Sequence, residues 1–291
     1  MRQLTVISGK GGTGKTTLTA AFASLVKGKV LADCDVDAAD LHLILNPTIK
    51  RRESFSGGRS PVVDADKCTK CGICTEVCRF DAIEDGEVDL IACDHCGLCV
   101  YACPENAITM EEDFNGEWFV SETDYGPMVH ARLGMGEENS GKLVTVVRKE
   151  ASEIAKERNL DLVIIDGPPG IGCPVIASVA GVDLVLVVTE PTLSGIHDME
   201  RILGLVSHFK IPALACINKY DINLLNTKKI REYCEQNDVK VLGMIPFDSK
   251  VIDALVQRRS IIEYPCGAVT KEVTGIWERV SEQLNHPDSN P

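Results

Sequence analysis

Eight cysteines stand in one window of this chain, and their spacing repeats. Cys68, Cys71, Cys74 and Cys78 form C-x2-C-x2-C-x3-C, and Cys93, Cys96, Cys99 and Cys103 form it again, 25 residues on. The repeat reaches past the thiols, since Ala82-Ile83 returns as Ala107-Ile108 at the same displacement. The segment is an internal duplication. Each x2 spacing lets a tight turn aim three thiolates at one centre, and Gly72 and Gly97 sit where the chain must bend sharply. Met1–Ile7 runs straight into a second motif, so no export signal is expected. Thirteen cysteines in an unexported chain point to metal ligation rather than to a disulfide framework. Zinc also takes thiolates, but its sites need four ligands in two pairs, which explains two complete runs poorly. His95 lies between Cys93 and Cys96 and is expected to face solvent beside the metal group, because thiolates already fill the ligand set.

This spacing is the bacterial ferredoxin pattern, and the segment from about Val62 to Glu112 resembles a two-cluster ferredoxin. The resemblance implies that Cys68, Cys71, Cys74 and Cys103 hold one 4Fe–4S cluster. Cys93, Cys96 and Cys99, with Cys78, would hold the other. One departure is visible: Cys103 is followed by Pro104, but Cys78 is followed by Arg79.

The second motif is a phosphate loop. Leu4–Ile7 reads as a short buried strand, Gly9-Lys10-Gly11-Gly12-Thr13-Gly14-Lys15-Thr16 satisfies G-x4-G-K-[ST], and a helical stretch follows from Thr17. The glycines let backbone N–H groups, with those of Thr13 and Thr17, turn towards phosphate oxygens at a helix N-terminus. Lys15 is expected to reach the β- and γ-phosphates and Thr16 to ligate Mg²⁺. The early Lys10 makes the loop G-K-G-G-x-G-K-[ST]. That resembles the deviant Walker A of the MinD/ParA ATPase family, whose relatives include the nitrogenase iron protein and the Mrp-type iron–sulfur carriers. The resemblance implies that Lys10 acts on a partner's nucleotide, in a homodimer or in a heterodimer with a related ATPase.

Lys29–Ala32 reads as a strand ending in Asp33-Cys34-Asp35, and an acid there lies on the binding edge of a parallel sheet. By resemblance Asp35 positions the attacking water, with Asp33 and Asp37 as alternatives. Asp161–Ile165 leads into Asp166-Gly167-Pro168-Pro169-Gly170, which resembles the family's Walker B and second switch. Asp166 would hold Mg²⁺ through water and the Gly170 amide would sense the γ-phosphate. Asn218-Lys219-Tyr220-Asp221 matches the guanine-reading N-K-x-D of GTPases. In the MinD-like family an Asn here, with a later loop such as Pro246-Phe247-Asp248, reads adenine. ATP is favoured over GTP on the family match, and the tetrapeptide keeps GTP open.

Apolar runs at Leu184–Val188, Ala213–Ile217 and Val241–Ile245 alternate with helical stretches. The expected fold is α/β, a doubly wound, mostly parallel P-loop NTPase sheet with an inserted small α+β two-cluster ferredoxin domain. Residues 1–60 and 114–291 form the ATPase and 61–113 the insert. Arg51 to Ser60 is polar, contains Gly57-Gly58, and reads as a linker. Trp118–Leu133 reads as a hairpin. Val269, Val273, Trp277, Val280 and Leu284 mark one face of a carboxyl-terminal helix. That helix carries Lys271 and Arg279 against Glu272, Glu278 and Glu282, so it is expected to pack on the domain, not on a membrane. The tail from His286 is expected to fray. Cys34 and Cys216 are expected as buried hydrophobes, and Cys173, past the second switch, as structural or redox-tuning, with a bridging or transient cluster, as the resemblance to the nitrogenase iron protein implies, the alternative.

The formal charge of −13 argues against nucleic-acid binding. It is unevenly placed: Val62 to Asp113 carries 13 acids against Lys67, Lys70 and Arg79, a net of −10, leaving −3 for the other 239 residues. The window is expected to dock a redox or metallocofactor partner with a basic patch. Three functions are compatible with these residues: a cytoplasmic ATPase that gates electron transfer, an assembly or carrier protein of Mrp type, and a redox-sensing scaffold ATPase.

Overall fold

Continuous apolar runs become the strands of one large sheet. The computed structural model describes residues 1–134 and 140–285. The chain opens with β1 (Arg2–Ser8), α1 (Lys15–Leu25), β2 (Lys29–Asp33), α2 (Leu41–Leu45) and the long β3 (Thr48–Val63). There follow α3 (Ile73–Val77), β4 (Ile83–Glu84), β5 (Glu87–Val88), α4 (Leu98–Ala102), β6 (Ile108–Thr123) and β7 (Gly126–Leu133). The remainder is α5 (Ser140–Glu157), β8 (Leu162–Pro169), α6 (Cys173–Val179), β9 (Leu184–Thr189), α7 (Leu193–His208), β10 (Ala213–Asn218), α8 (Leu224–Gln236), β11 (Lys240–Ile245), α9 (Lys250–Val256) and α10 (Ala268–Asn285). Two compact units result. The first comprises Met1–Glu53, Trp118–Arg132 and the chain from Ser140; the second comprises Ser54–Glu117 and the chain just after Arg132.

The strand order is β11-β10-β9-β1-β8-β2-β7-β6-β3. From β11 to β7 neighbouring strands pair in parallel. Every residue of β2 and β9 is buried, as strands covered on both faces require. β1 lies between β8 and β9; the chain runs from β1 to β2 in one direction along the sheet and from β8 across β1 to β9 in the other, so the winding reverses at β1. The carboxyl end of such a strand is where an open α/β sheet binds its ligand.

α10 lays Val269, Val273, Ile276, Val280 and Leu284 into the same core as Leu4, Phe22 and Leu186. Trp277 packs on Phe22 with ring centroids 5.0 Å apart. This helix therefore uses its apolar face internally, and no described helix is long and apolar enough to cross a membrane. The tail from His286 lies outside the described residues.

The linker expected over Arg51 to Ser60 is instead part of β3. Phe55 and Gly57 are both buried, the alternation of a strand. Gly57 admits the Asn115 side chain, whose Oδ1 accepts from the Gly57 N–H at 2.9 Å. A glycine pair that resembles a flexible joint serves close packing here.

In the second unit the duplication is written into the backbone. Lys70 and His95 take φ of 54° and 53°, Gly72 and Gly97 take 78° and 72°, and Asp81 and Asn106 take 50° and 49°. Each pair is 25 residues apart. α3 and α4 have that offset too, and Ala82, Ile83, Ala107 and Ile108 form the unit's small buried centre.

Candidate functional site

The phosphate loop runs from β1 into α1. Gly14, at φ 97°, ends the loop against Asn218, and a Cβ there would lie 2.4 Å from the Asn218 amide nitrogen. The first turn of α1 holds no acidic residue and Gly14 offers no side-chain cap, so its first amides remain available to an anion. Lys15 is buried within this cradle.

Beside the loop, Asp33 on β2 and Asp166 on β8 are in register. The Asp33 oxygens accept from the Asp35 and Leu41 amides, each at 3.2 Å. Asp33 therefore pins the loop that carries Asp35, which leaves it poorly placed to handle water. Burial, then the Asp166 and Asp35 carboxylates, push Asp33 well above the usual carboxylate range. Burial likewise raises Asp166, to about 6, although Lys15 and the hydroxyls of Thr16 and Thr19 pull the other way. Thr19 Oγ1 donates to Asp166 Oδ1 at 3.1 Å, while Asp166 Oδ2 is buried without a partner among the described residues. An orphaned carboxylate oxygen beside a threonine hydroxyl fits a Mg²⁺ ion and its waters. Asp35 is half-buried; burial raises it and Lys15 opposes that shift. Asp37 is exposed. The Gly170 N–H donates to the Ser8 carbonyl at 3.0 Å, so it must leave that bond to meet a phosphate.

A cavity of about 230 Å³ opens on the other side of the loop, bordered by Gly12, Thr17, Asn218, Pro246 and Asp248. Asn218 Nδ2 donates to the Thr13 carbonyl at 2.8 Å. Asp221 is not in the lining; its Oδ1 accepts from the Phe247 N–H at 2.8 Å. The aspartate of the N-K-x-D motif thus fastens the Pro246 loop.

Sequence reasoning missed Glu190. It follows the apolar run of β9 and bridges Lys10, at 2.6 Å, and Lys219, at 3.2 Å. An acid at the end of a parallel strand, here Glu190-Pro191, was the available signal.

In the second unit Cys68, Cys71, Cys74 and Cys103 line one cavity with Gly72, Gly86 and Ile108. Backbone N–H groups of Ala82, His95 and Ala107 donate to the sulfurs of Cys78, Cys93 and Cys103 at 3.3–3.4 Å. Burial pushes the Cys99 thiol up, and nearby Cys93 and Cys96 add to the shift. Among the described residues no group of three or more His, Cys, Asp or Glu is gathered tightly enough for one metal ion. Four thiols lining one cavity, of which Cys103 accepts a backbone amide, are a donor set that fits an iron–sulfur cluster. His95 is exposed, and its Nδ1 lies 3.2 Å from Ser60 Oγ, which donates to Asp113 at 2.6 Å. Cys34, Cys216, Cys234 and Cys266 are buried; Cys173, the first residue of α6, is exposed.

Residues 4–261 match the model of the CobQ/CobB/MinD/ParA nucleotide binding domain. An uncharacterized Methanocaldococcus jannaschii protein is 32% identical over 96% of both chains. An iron-sulfur cluster carrier protein of Pyrococcus abyssi is 24% identical, covering 97% of this chain and 86% of its own. The septum site-determining protein MinD of Pyrococcus horikoshii, solved with Mg-ADP, superposes with a TM-score of 0.58 at 17% identity over 99% of both chains. The chain belongs to the CobQ/CobB/MinD/ParA nucleotide-binding family and has the fold of the MinD/ParA ATPases.

Proposed function

We propose that this protein hydrolyses ATP and couples nucleotide-driven closure of a dimer to electron transfer through two 4Fe–4S clusters. The observation that carries the cluster reading is the 25-residue repeat, present in spacing and in backbone geometry around four thiols that share a cavity. Cys68, Cys71, Cys74 and Cys103 would hold one cluster, and Cys93, Cys96, Cys99 and Cys78 the other. Cys78 matches Cys103 in backbone angles and in its amide-to-sulfur bond. When bound, such clusters supply one-electron transfer at potentials that span about −700 to +450 mV.

The chain's own residues divide the nucleotide work. Lys15 and the α1 amides would neutralise phosphate charge, Thr16 and Asp166 would hold Mg²⁺, and Asp35 would orient the attacking water. Lys10 serves the nucleotide of the partner protomer. The Gly170 amide exchanges the Ser8 carbonyl for the γ-phosphate, which moves the segment leading into α6. Asn218, Pro246 and Asp248 border the base, and the commitment of Asp221 to Phe247 favours adenine over guanine. The acid excess between Val62 and Asp113 suits a redox partner with a basic patch, through an association that weakens as salt screens it.

Anaerobic purification with an iron and sulfide count, followed by reductive titration with and without ATP, tests the reading. About eight irons per chain and a nucleotide-dependent shift in reduction are expected. Clusters whose reduction ignores ATP would sink the coupling while leaving the ATPase.

The distant iron-sulfur cluster carrier relative supports a second reading, in which the ATPase cycle delivers a cluster. ATP-dependent transfer of iron and sulfide to an apo-protein would select it.

A further inference from the structure

Lys10 is fully engaged inside its own subunit. Its Nζ pairs with Glu190 Oε1 at 2.6 Å and donates to Thr192 Oγ1 and Ser194 Oγ, each at 3.1 Å. Three partners use all three protons of an ammonium group. The second carboxylate oxygen, Glu190 Oε2, pairs with Lys219 Nζ at 3.2 Å, and Lys219 also donates to the Gly12 carbonyl at 3.3 Å. The Glu190 side chain is only 12% exposed. One shielded carboxylate therefore ties two points of the phosphate loop to the start of α7 and to the end of β10.

The surroundings hold that carboxylate in place. Thr192 caps α7 by accepting from the Gly195 N–H at 3.0 Å, which fixes the hydroxyl that Lys10 uses. A Cβ on Gly195 would lie 2.3 Å from the Glu190 carbonyl, so the turn between them is tight. Lys219 takes a left-handed φ of 53°, uncommon for a side chain of this size. The two lysines hold one acid, each on a different carboxylate oxygen.

We propose that Glu190 is a positioning residue that holds Lys10 in its own subunit, so that pairing of two chains on nucleotide requires Lys10 to exchange Glu190 for the partner's phosphate. The inference rests on the reading of Lys10 as a residue that acts across the dimer. A lysine saturated at home is unavailable to a partner, and the population that has released it sets the apparent affinity of pairing. Glu190 thus sets how much nucleotide and how much protein are needed before the dimer forms. Lys219 keeps the carboxylate charged and aimed after Lys10 leaves, so the seat is ready for its return.

Sedimentation velocity of the full chain, with Mg²⁺ and a non-hydrolysable ATP analogue, tests this. Glu190→Gln is expected to pair at a protein concentration about threefold lower than the wild type or less. Ser194→Ala, an exposed change that removes one seat of Lys10, is expected to shift pairing the same way by a smaller factor. Lys10→Ala is expected to bind nucleotide, pair poorly and turn over slowly, and Glu190→Gln added to it is expected to change nothing further. Normal pairing and turnover in Lys10→Ala would remove the cross-dimer reading and this inference with it. If Lys10→Ala is impaired but Glu190→Gln, with an unchanged melting temperature, pairs at the wild-type concentration, the restraint alone is overturned. Should Glu190→Gln fold poorly, an unmoved Ser194→Ala would overturn it equally.

Discussion

Asp33 on β2 and Asp166 on β8 stand directly across from each other, in register, and both are shut away from solvent. Two carboxylates in that position repel, and only one has its oxygens fully taken by amides. The arrangement destabilises the empty protein and prepares it for a cation.

The pH dependence of stability follows from that pair. Asp166 binds its proton more tightly folded, at about 6, than an unfolded aspartate at about 3.9. Its contribution is therefore fully present below about pH 3.9 and is lost as pH rises through about 6. Without Mg²⁺, the Asp166→Asn protein is expected to melt higher at pH 7.5 than the wild type, by about 1–3 kcal/mol. Its melting temperature should fall less steeply across the pH 4–6 interval, the slope that remains belonging to Asp33, which burial also raises. Thermal melts over pH in chelator check this, and a wild-type curve that stays flat there refutes it. Hydrolysis should be lost in the same variant.

Lys15→Ala is expected to abolish nucleotide hydrolysis. The lysine is buried beside Asp35 and Asp166 at the start of α1. Phosphate release assays should fall by about 10²-fold or more. Near-normal turnover would mean that the loop does not carry the chemistry.

Asp221→Ala is expected to weaken ATP and GTP binding by the same factor. Its carboxylate holds the Phe247 amide and does not border the base cavity. Titration with fluorescent derivatives of both nucleotides measures the ratio. A GTP-preferring wild type that loses the preference in the variant would restore the guanine reading.

Cys68→Ser and Cys99→Ser are each expected to lower iron from about eight to about four per chain, leaving different paramagnetic signals after reduction. Iron that stays at eight in either variant would break the assigned ligand sets.

Much of the candidate site was legible because its chemistry depends on local spacing. Gly9 to Thr16, the acids that follow the apolar runs of β2 and β8, and the two cysteine runs are each compact in sequence. Glu190 was not legible, since its meaning comes from Lys10 and Lys219, far away in sequence and adjacent only after the sheet assembles. Asp221 was legible as a motif, but its role depends on the amide of Phe247 on a later loop. The strand over Arg51 to Ser60 was hidden by its polar face and its glycines, because Gly57 packs against Asn115 of the neighbouring strand β6, far away in sequence. Local propensity points to a joint there, and the pairing of strands overrides it.

Cys103 closes the cavity begun by Cys68, Cys71 and Cys74, although it belongs to the other copy of the repeat. Neither copy owns a complete set of sulfurs on that side. The halves are mutually captive: severing the chain between Val88 and Cys93 would cost the first site its last thiol as well as its neighbour. A segment that arose by doubling can no longer be halved.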